Sequence, residues 1–308
     1  MKRLFYLLLF TFYLLPLLSS CGGHPSTPQP VATSTPFTDD YNRTVNVPVS
    51  PQRVVSTSPA VTEIICALGG YDLLVGRTDF CTYPPEVLSI ESIGGISNLN
   101  VEKIVSLNPD IVISGSMIPK KSTDQLEKMG VPTVHVIEKQ HFDGLYDNIS
   151  RIGQLIDRTP QADSLIALLK FQSPELPQDS QSPQPAPAQF STHNSQFSIY
   201  YVVGFGPSGN FTAGGDSFIN DIIRMAGGRN IAEDITGWSY SLEALLSADP
   251  DYILIRREDS AAFCTTPPYN RLTAVKEHRV IGINSGLIDL QVPRNIEAIQ
   301  YIKKELHR

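Results

Sequence analysis

The sequence has little cysteine, little tryptophan and a deficit of positive charge. Of its 308 residues four are cysteine and one is tryptophan, and 24 Lys and Arg face 31 Asp and Glu. The net charge of −7, without basic runs, argues against nucleic acid as a partner. It has no C-x-x-C pair and no Cys/His ligand spacing, and its six histidines are scattered. We therefore predict no metal site.

Long apolar runs are missing beyond the N-terminus, so no later segment approaches the ~20 apolar residues that a membrane-spanning helix requires. Residues 1–20 join Lys2 and Arg3 to an apolar run and then to small residues before Cys21, as in a secretory signal peptide. The block resembles the lipobox of bacterial lipoproteins, which implies cleavage before Cys21 and lipid attachment to its sulfur. The alternative is an ordinary leader with a free Cys21. Residues 21–38, rich in Pro, Ser and Thr, are predicted to form a flexible tether.

The three remaining cysteines are Cys66, Cys81 and Cys264. Export would place them in an oxidising compartment. We expect one disulfide and one free thiol. Cys66 and Cys81 are nearest in sequence, but spacing does not determine the pairing.

Strand and helix patterns alternate along the chain, beginning with residues 50–70. An apolar, β-branched run at 53–55 leads into Ser58 and Pro59, which favour the start of a helix, and Gly69 and Gly70 end that helix. The same alternation follows through residue 136. It predicts an α/β fold with a mainly parallel sheet.

An internal repeat indicates a second, similar unit. Residues 100–113 align with residues 241–254, with Glu, Ser, Pro and Asp at matching places. We predict an N-terminal lobe at 39–140 and a C-terminal lobe at 197–308. Bridging helices at 141–172 and a Pro/Gln/Ser-rich insertion at 173–196 would join them. Because ligands bind beyond the carboxyl ends of parallel strands, loops from both lobes are expected to line one cleft.

Signatures of enzymes are weak. Residues 204–209 satisfy G-x-G-x-x-G after a predicted strand, but Pro207 removes an amide donor and the helix does not open directly from the last glycine. No G-x-S-x-G nucleophile elbow is present.

Several short motifs occur together: Pro-Gln-Arg-Val-Val at 51–55, Ala-Leu-Gly at 67–69, Tyr-Pro-Pro at 83–85, and the repeated Glu-x-x-x-x-x-x-Pro-Asp run. In this order they resemble the substrate-binding proteins of ABC importers for vitamin B12, ferric siderophores and haem, over residues 39–308. The resemblance implies two rigid lobes joined by a helix, no enzymatic activity, no resident cofactor, and a monomer that docks on a permease dimer with its ATPase.

The resemblance also assigns roles to residues. It implies that Glu102 and Glu243 dock on the permease, one from each lobe, and that Glu63 caps or packs locally instead of docking. The expected ligand contacts are cleft-loop aromatics with faces for stacking: Phe80, Tyr83, Phe211, Trp238 and Tyr240. Cobalamin is the preferred ligand, with a ferric siderophore or haem as alternatives. An enzyme that processes a tetrapyrrole or metal chelate on the same frame is the rival class.

Three departures from the B12-binding pattern bear on the ligand more than on the fold. Ile96 stands where those proteins carry an aromatic, Ala226 leaves no second-lobe disulfide, and Pro174 and Pro177 shorten the bridging helix. Three arginines could still attract an anionic siderophore as the ligand: Arg77, Arg256 and Arg257. Tyr83 and His141 are weak candidates for an axial haem ligand.

Overall fold

Two parallel sheets organise the computed structural model, which describes residues 34–115, 118–173 and 197–308. The strands are β1 Ser34–Thr38, β2 Thr44–Pro48, β3 Val54–Ser56, β4 Leu74–Arg77, β5 Ile111–Ser114, β6 Thr133–His135, β7 Phe197–Val202, β8 Gly228–Asn230, β9 Tyr252–Arg256 and β10 Val280–Ile283. The α-helices are α1 Pro59–Ala67, α2 Val101–Ser106, α3 Lys120–Lys128, α4 Gly144–Leu155, α5 Thr159–Gln172, α6 Phe218–Met225, α7 Leu242–Ala248, α8 Ser260–Thr265, α9 Thr273–Lys276 and α10 Asn295–Leu306. Short 3-10 turns occupy Tyr71–Leu73, Pro85–Ser89, Tyr269–Arg271 and Ser285–Leu287.

The two sheets share one topology. In the first lobe the strands lie in the order β4-β3-β5-β6, and in the second they lie in the order β10-β9-β7-β8. Numbered within each lobe, both orders are 2-1-3-4, and every pairing in both sheets is parallel. The α/β fold class predicted from the internal repeat, with two similar lobes, is confirmed.

The repeat extends to individual hydrogen bonds. Asn100 caps α2 by accepting a hydrogen bond from the Lys103 amide at 2.9 Å. Ser241 caps α7 in the same way, by accepting a hydrogen bond from the Ala244 amide at 3.0 Å. Asp110 accepts from the amide of Arg53 at 2.9 Å, and Asp251 accepts from that of Ser198 at 2.8 Å. Each Pro-Asp aspartate therefore fixes the chain at the start of the first strand of its sheet.

The two lobes share one hydrophobic core. A single cluster of buried side chains includes Val54 and Ile64 of the first lobe, Ile149 of α4, and Ile199 and Ile299 of the second lobe. The described residues from Ser34 onward accordingly form one compact unit. Apolar contact of this kind opposes a large hinge motion between lobes, because opening would expose the shared surface to water.

Buried polar groups also connect the lobes. Gln291 is fully buried, accepting a hydrogen bond from the Lys139 amide at 2.9 Å and donating to the His141 carbonyl at 2.8 Å. Asp221 of α6 accepts from the Phe142 amide at 2.9 Å. These bonds hold residues 139–142, where the chain leaves the first lobe, against the second lobe.

Two expectations from the sequence are corrected. Residues 34–38 form β1, antiparallel to β2, where a tether was predicted. Every residue of β1 except Phe37 is exposed, so its Ser, Thr and Pro residues resemble a linker. The expected disulfide is also wrong, since Cys66, Cys81 and Cys264 are all free thiols. Cys81 is fully buried, and the Thr62 hydroxyl donates to its sulfur at 3.1 Å. Burial raises the pKa of Cys66 to about 12.

Some predicted features fall outside the described residues. These are the signal peptide, Cys21, most of the tether, and all of the Pro-rich insertion except Ser173. Within the described ranges, no helix combines the length and apolar character needed to cross a bilayer.

The turn between β1 and β2 yields a pH prediction. Burial tends to raise the pKa of Asp39, but two hydrogen bonds from the Arg43 guanidinium, at 2.6 and 3.0 Å, and backbone amides hold that pKa below its usual range. The ionised Asp39 therefore stabilises the fold above the unfolded-state pKa, and this contribution is lost as pH falls through the lower folded-state pKa. In urea unfolding, we expect Asp39→Asn to be less stable than wild type at about pH 6, and the difference to shrink towards pH 2. A difference that does not change with pH would contradict this assignment.

Candidate functional site

A cleft of about 540 Å³ lies between the two lobes. First-lobe loops contribute Thr57, Ser58, Pro59, Phe80, Thr82, Tyr83, Ile96 and Gly115, followed by Glu138; the second lobe contributes Asn284, Ser285, Gly286, Asp289, Leu290 and Arg294. The predicted position of the cleft, beyond the carboxyl ends of parallel strands, is confirmed.

The first-lobe floor of the cleft consists of the loops after β3 and β5. These strands are neighbours at the point where the strand order reverses, which leaves a crevice between their loops. The Thr57 hydroxyl donates to the Ser114 hydroxyl at 2.9 Å and ties the two loops together. A Cβ on Gly115 would lie 2.8 Å from the Ser58 side chain, so this close approach requires glycine. Thr57, Ser58 and Pro59 line this floor.

The opposite wall is the loop between β10 and α10. Asn284 accepts a hydrogen bond from the Gly286 amide at 2.9 Å and starts the turn Ser285–Leu287. Buried Asn295 donates to the carbonyls of Leu287 and Leu290, at 2.8 and 2.9 Å. This wall is therefore fixed by side-chain hydrogen bonds although it has little regular structure.

An ion pair joins the two lobes beside the cleft. Arg294 donates from Nε to Glu63 Oε1 at 2.9 Å and from Nη2 to Oε2 at 2.7 Å, which is a bidentate geometry. The Glu63 residue is 4% exposed and the Arg294 side chain 15% exposed. Burial raises the pKa of Glu63 even though the hydrogen bonds from Arg294 lower it. The expectation that Glu63 packs locally is wrong, because its partner lies 231 residues away in the sequence, on the other lobe.

The guanidinium of Arg294 also stacks on Tyr83. Its Cζ atom lies 3.4 Å from the centre of the Tyr83 ring. Cation–π contact of this kind is favourable, and here it covers one face of the ring. Only the opposite face of Tyr83 is left for a ligand.

A second charged group on the wall is also neutralised from behind. Asp289 accepts two hydrogen bonds from Arg256 and Tyr201: the guanidinium Nε donates to Oδ2 at 2.8 Å, and the Tyr201 hydroxyl donates to Oδ1. Burial, together with the nearby Asp289 charge, raises the pKa of Tyr201 well above its ordinary value, so the phenol remains a donor at neutral pH. Asp289 thus faces the cleft with its charge compensated.

The structure brings two of the five predicted aromatics to this cleft, Phe80 and Tyr83. Phe211 and Trp238 are 36% and 49% exposed on loops of the second lobe and are not among the lining residues, and Tyr240 packs on Tyr200 at 5.6 Å between ring centres. A ligand contact by these three remains a prediction. Ile96 does line the cleft, at the position expected to differ from B12-binding proteins.

The other candidates from the sequence lie elsewhere. Arg77 is buried and donates to the backbone carbonyls of Thr78, Val87 and Leu88, so its role is structural. Glu102 and Glu243 are exposed near the starts of α2 and α7. Among the residues that the structure covers, no group of three or more His, Cys, Asp or Glu could hold a metal ion.

Sequence reasoning missed Arg294, Asp289 and the loop at 284–290. The local signal was a Pro-Arg step before the final amphipathic helix, which is ordinary for a helix start. Nothing in the sequence links Arg294 to Glu63 or to Tyr83, because a long-range pair has no periodicity.

Comparisons with known proteins agree with this geometry. A sequence profile described as "periplasmic binding protein" matches residues 54–287. An uncharacterised ABC transporter substrate-binding lipoprotein of Bacillus subtilis is 30% identical over 274 residues, covering 87% of this chain and 84% of that protein. A cobalamin-binding protein of Halobacterium salinarum is 28% identical over 291 residues, which cover 90% of this chain and 75% of that protein. The crystal structure of a periplasmic haem-binding protein of Vibrio cholerae has the same fold, with a TM-score of 0.70 at 22% identity. The match covers 83% of this chain and 99% of that protein.

The ion pair gives a prediction about stability. Arg294→Met would strand a buried carboxylate, and we expect it to cost about 3 kcal/mol of unfolding free energy at pH 7. Glu63→Gln keeps a hydrogen-bond acceptor and leaves a guanidinium that can reach solvent through the cleft, so about 1 kcal/mol is expected. Urea unfolding measures both. Equal losses would contradict the inferred difference in burial. The Arg294→Met penalty should also fall at acid pH, where Glu63 takes up a proton.

Proposed function

This chain belongs to the periplasmic binding protein family, and we propose that it captures cobalamin or a related corrinoid and delivers it to the permease of an ABC importer. The similarity to a cobalamin-binding protein over 90% of the chain supports the ligand class. The similarity to a substrate-binding lipoprotein supports the transport role. The interlobe cleft, with Phe80 and one face of Tyr83 available for stacking, offers a site for a flat macrocycle.

The observation that carries the choice of corrinoid is the charge balance of the cleft. Arg294, the one cation among the lining residues that the structure describes, is paired with Glu63, and Asp289 is paired with Arg256. A highly anionic ferric siderophore requires uncompensated positive charge, as in an arginine cluster. Cobalamin has a periphery of neutral amides. Polar uncharged groups such as Thr57, Ser285 and Asn284 suit amides well.

Haem is the second candidate, supported by the fold shared with haem-binding structures. Haem iron needs an axial ligand such as Tyr or His. In the described lining, Tyr83 is the one side chain of that kind. His141 instead lies 3.5 Å from Asp221, next to the residues that join the lobes. The haem alternative is therefore less well supported than the corrinoid.

In this proposal the protein works at the bacterial cell envelope, anchored by lipid on Cys21 and acting as a monomer. The lipoprotein name of the Bacillus subtilis relative supports the anchor. The rival reading, an enzyme that processes the chelate, differs in one observable respect, since it would release a changed product.

Titration tests the proposal. We expect purified protein to bind cyanocobalamin one-to-one with a Kd below about 1 μM, and to return it unchanged by chromatography and absorbance. Haemin and a ferric tricatecholate serve as comparison ligands. Tighter binding of either would replace the corrinoid, whereas a modified product would favour the enzyme. Failure to bind all three would refute the transport of a metal chelate.

Permease docking is proposed for Glu102 and Glu243. Both are exposed near the start of a short helix of the repeated unit, where the helix dipole favours an anion, and neither is ion-paired within the described part of the chain. Two equivalent carboxylates suit a two-fold symmetric partner.

Charge reversal tests the docking. Glu102→Lys with Glu243→Lys should reduce uptake in vesicles carrying the cognate permease by about tenfold or more, with ligand affinity unchanged. The control reverses two other exposed carboxylates, Asp163 and Glu277, and should leave uptake intact. Wild-type uptake by the first double variant would exclude these residues from docking.

A further inference from the structure

We propose that Glu63 sets the charge selectivity of the cleft, by cancelling the charge of Arg294 from behind so that neutral chelates are accepted and anionic ones are not. The inference rests on the proposed function, in that a metal chelate occupies this cleft. It concerns a residue that does not itself line the cleft.

The first support is the position of Arg294 and Glu63 relative to the cleft. Arg294 lines the cleft, whereas Glu63 lies behind it on α1 and is 4% exposed. A ligand would therefore meet the guanidinium, with the compensating carboxylate at 2.7 Å on the far side. At short range in a poorly solvated site such a pair has little net field, so an anion gains little from it.

The second support is that Arg294 is held in place. Its Nε and Nη2 atoms both donate to Glu63, and its planar group lies on the Tyr83 ring at 3.4 Å. The Nε/Nη2 edge of the guanidinium is therefore occupied, and an anionic ligand could use that edge only if the guanidinium left Glu63. Leaving would strand the Glu63 carboxylate in a buried position, which is strongly unfavourable.

The third support is that Asp289 shows the same arrangement with opposite sign. Its carboxylate lines the cleft, and Arg256 stands behind it with Nη2 at 2.8 Å. Both of these charged groups belong to the second lobe, and their counter-charges are Glu63 of the first lobe and Arg256 of the second. Removing one counter-charge would therefore change the charge of the cleft by one unit without changing the wall itself.

The test compares two ligands that differ by one charge. Cyanocobalamin is neutral, and its monocarboxylic acid, formed by hydrolysis of one peripheral amide, carries a single negative charge. We expect wild type to prefer the neutral ligand by about fivefold or more, and Glu63→Gln to bind the acid and a ferric tricatecholate at least about tenfold more tightly than wild type does. The gain should diminish with added salt.

Two further variants separate charge from structural damage. Glu297→Gln removes the same charge from an exposed position on α10 next to Arg294 and should give no gain. Adding Arg294→Gln to Glu63→Gln should abolish the gain, because the released guanidinium is what attracts the anion. Thermal melting checks that each variant is folded.

The outcomes distinguish this inference from the proposed function. If wild type binds cyanocobalamin and Glu63→Gln gains no affinity for either anion, the role of Glu63 is refuted while the function stands. If no protein binds a corrinoid but Glu63→Gln gains affinity for the tricatecholate, the charge role stands while the ligand is wrong. If Glu297→Gln gained the same affinity for the anionic ligands, the effect would come from the net charge of the protein and not from Glu63. That result would also overturn the inference.

Discussion

The contact between Glu63 and Arg294 determines much of how this protein is arranged for binding. It joins the two lobes beside the cleft, from the first helix of one lobe to the start of the last helix of the other, and it leaves one face of Tyr83 open to the cleft while covering the other. Buried bidentate pairs are costly to break because each partner would be left as an unpaired charge. The shared hydrophobic core keeps the lobes together, and the ion pair sets the geometry and the charge of the space between them.

The two lobes have the same topology but contribute to the cleft differently. In the first lobe the lining comes from loops after all four strands, and the loops after β3 and β5, at the reversal of strand order, form its floor. In the second lobe it comes from the loop after β10, an edge strand. The loop after β7, at the second lobe's own reversal point, holds Phe211, and the loop after β8 holds Trp238. A duplicated fold has thus given an asymmetric site.

Much of the fold was predictable because its signals are local. Residues 100–113 and 241–254 repeat the same caps and turns, and those residues make equivalent hydrogen bonds in both lobes. The site was less predictable. Tyr83 and Phe80 were recognised by residue type, but Arg294 and Asp289 matter through partners distant in sequence, and no spacing reveals such pairs. The unpaired cysteines show the same limit, since Cys81 satisfies its thiol with threonine hydroxyls.

We propose that a neutral corrinoid lies between the two walls of the cleft without displacing the charged pairs Glu63–Arg294 and Asp289–Arg256. A crystal structure of the protein saturated with cyanocobalamin tests it most directly. We expect a corrin ring in contact with residues 57–59, 80–83 and 284–290, with the Glu63–Arg294 pair and the Arg294–Tyr83 stack intact. A corrin bound away from this cleft, or a guanidinium turned away from Glu63 to meet the ligand, would contradict it.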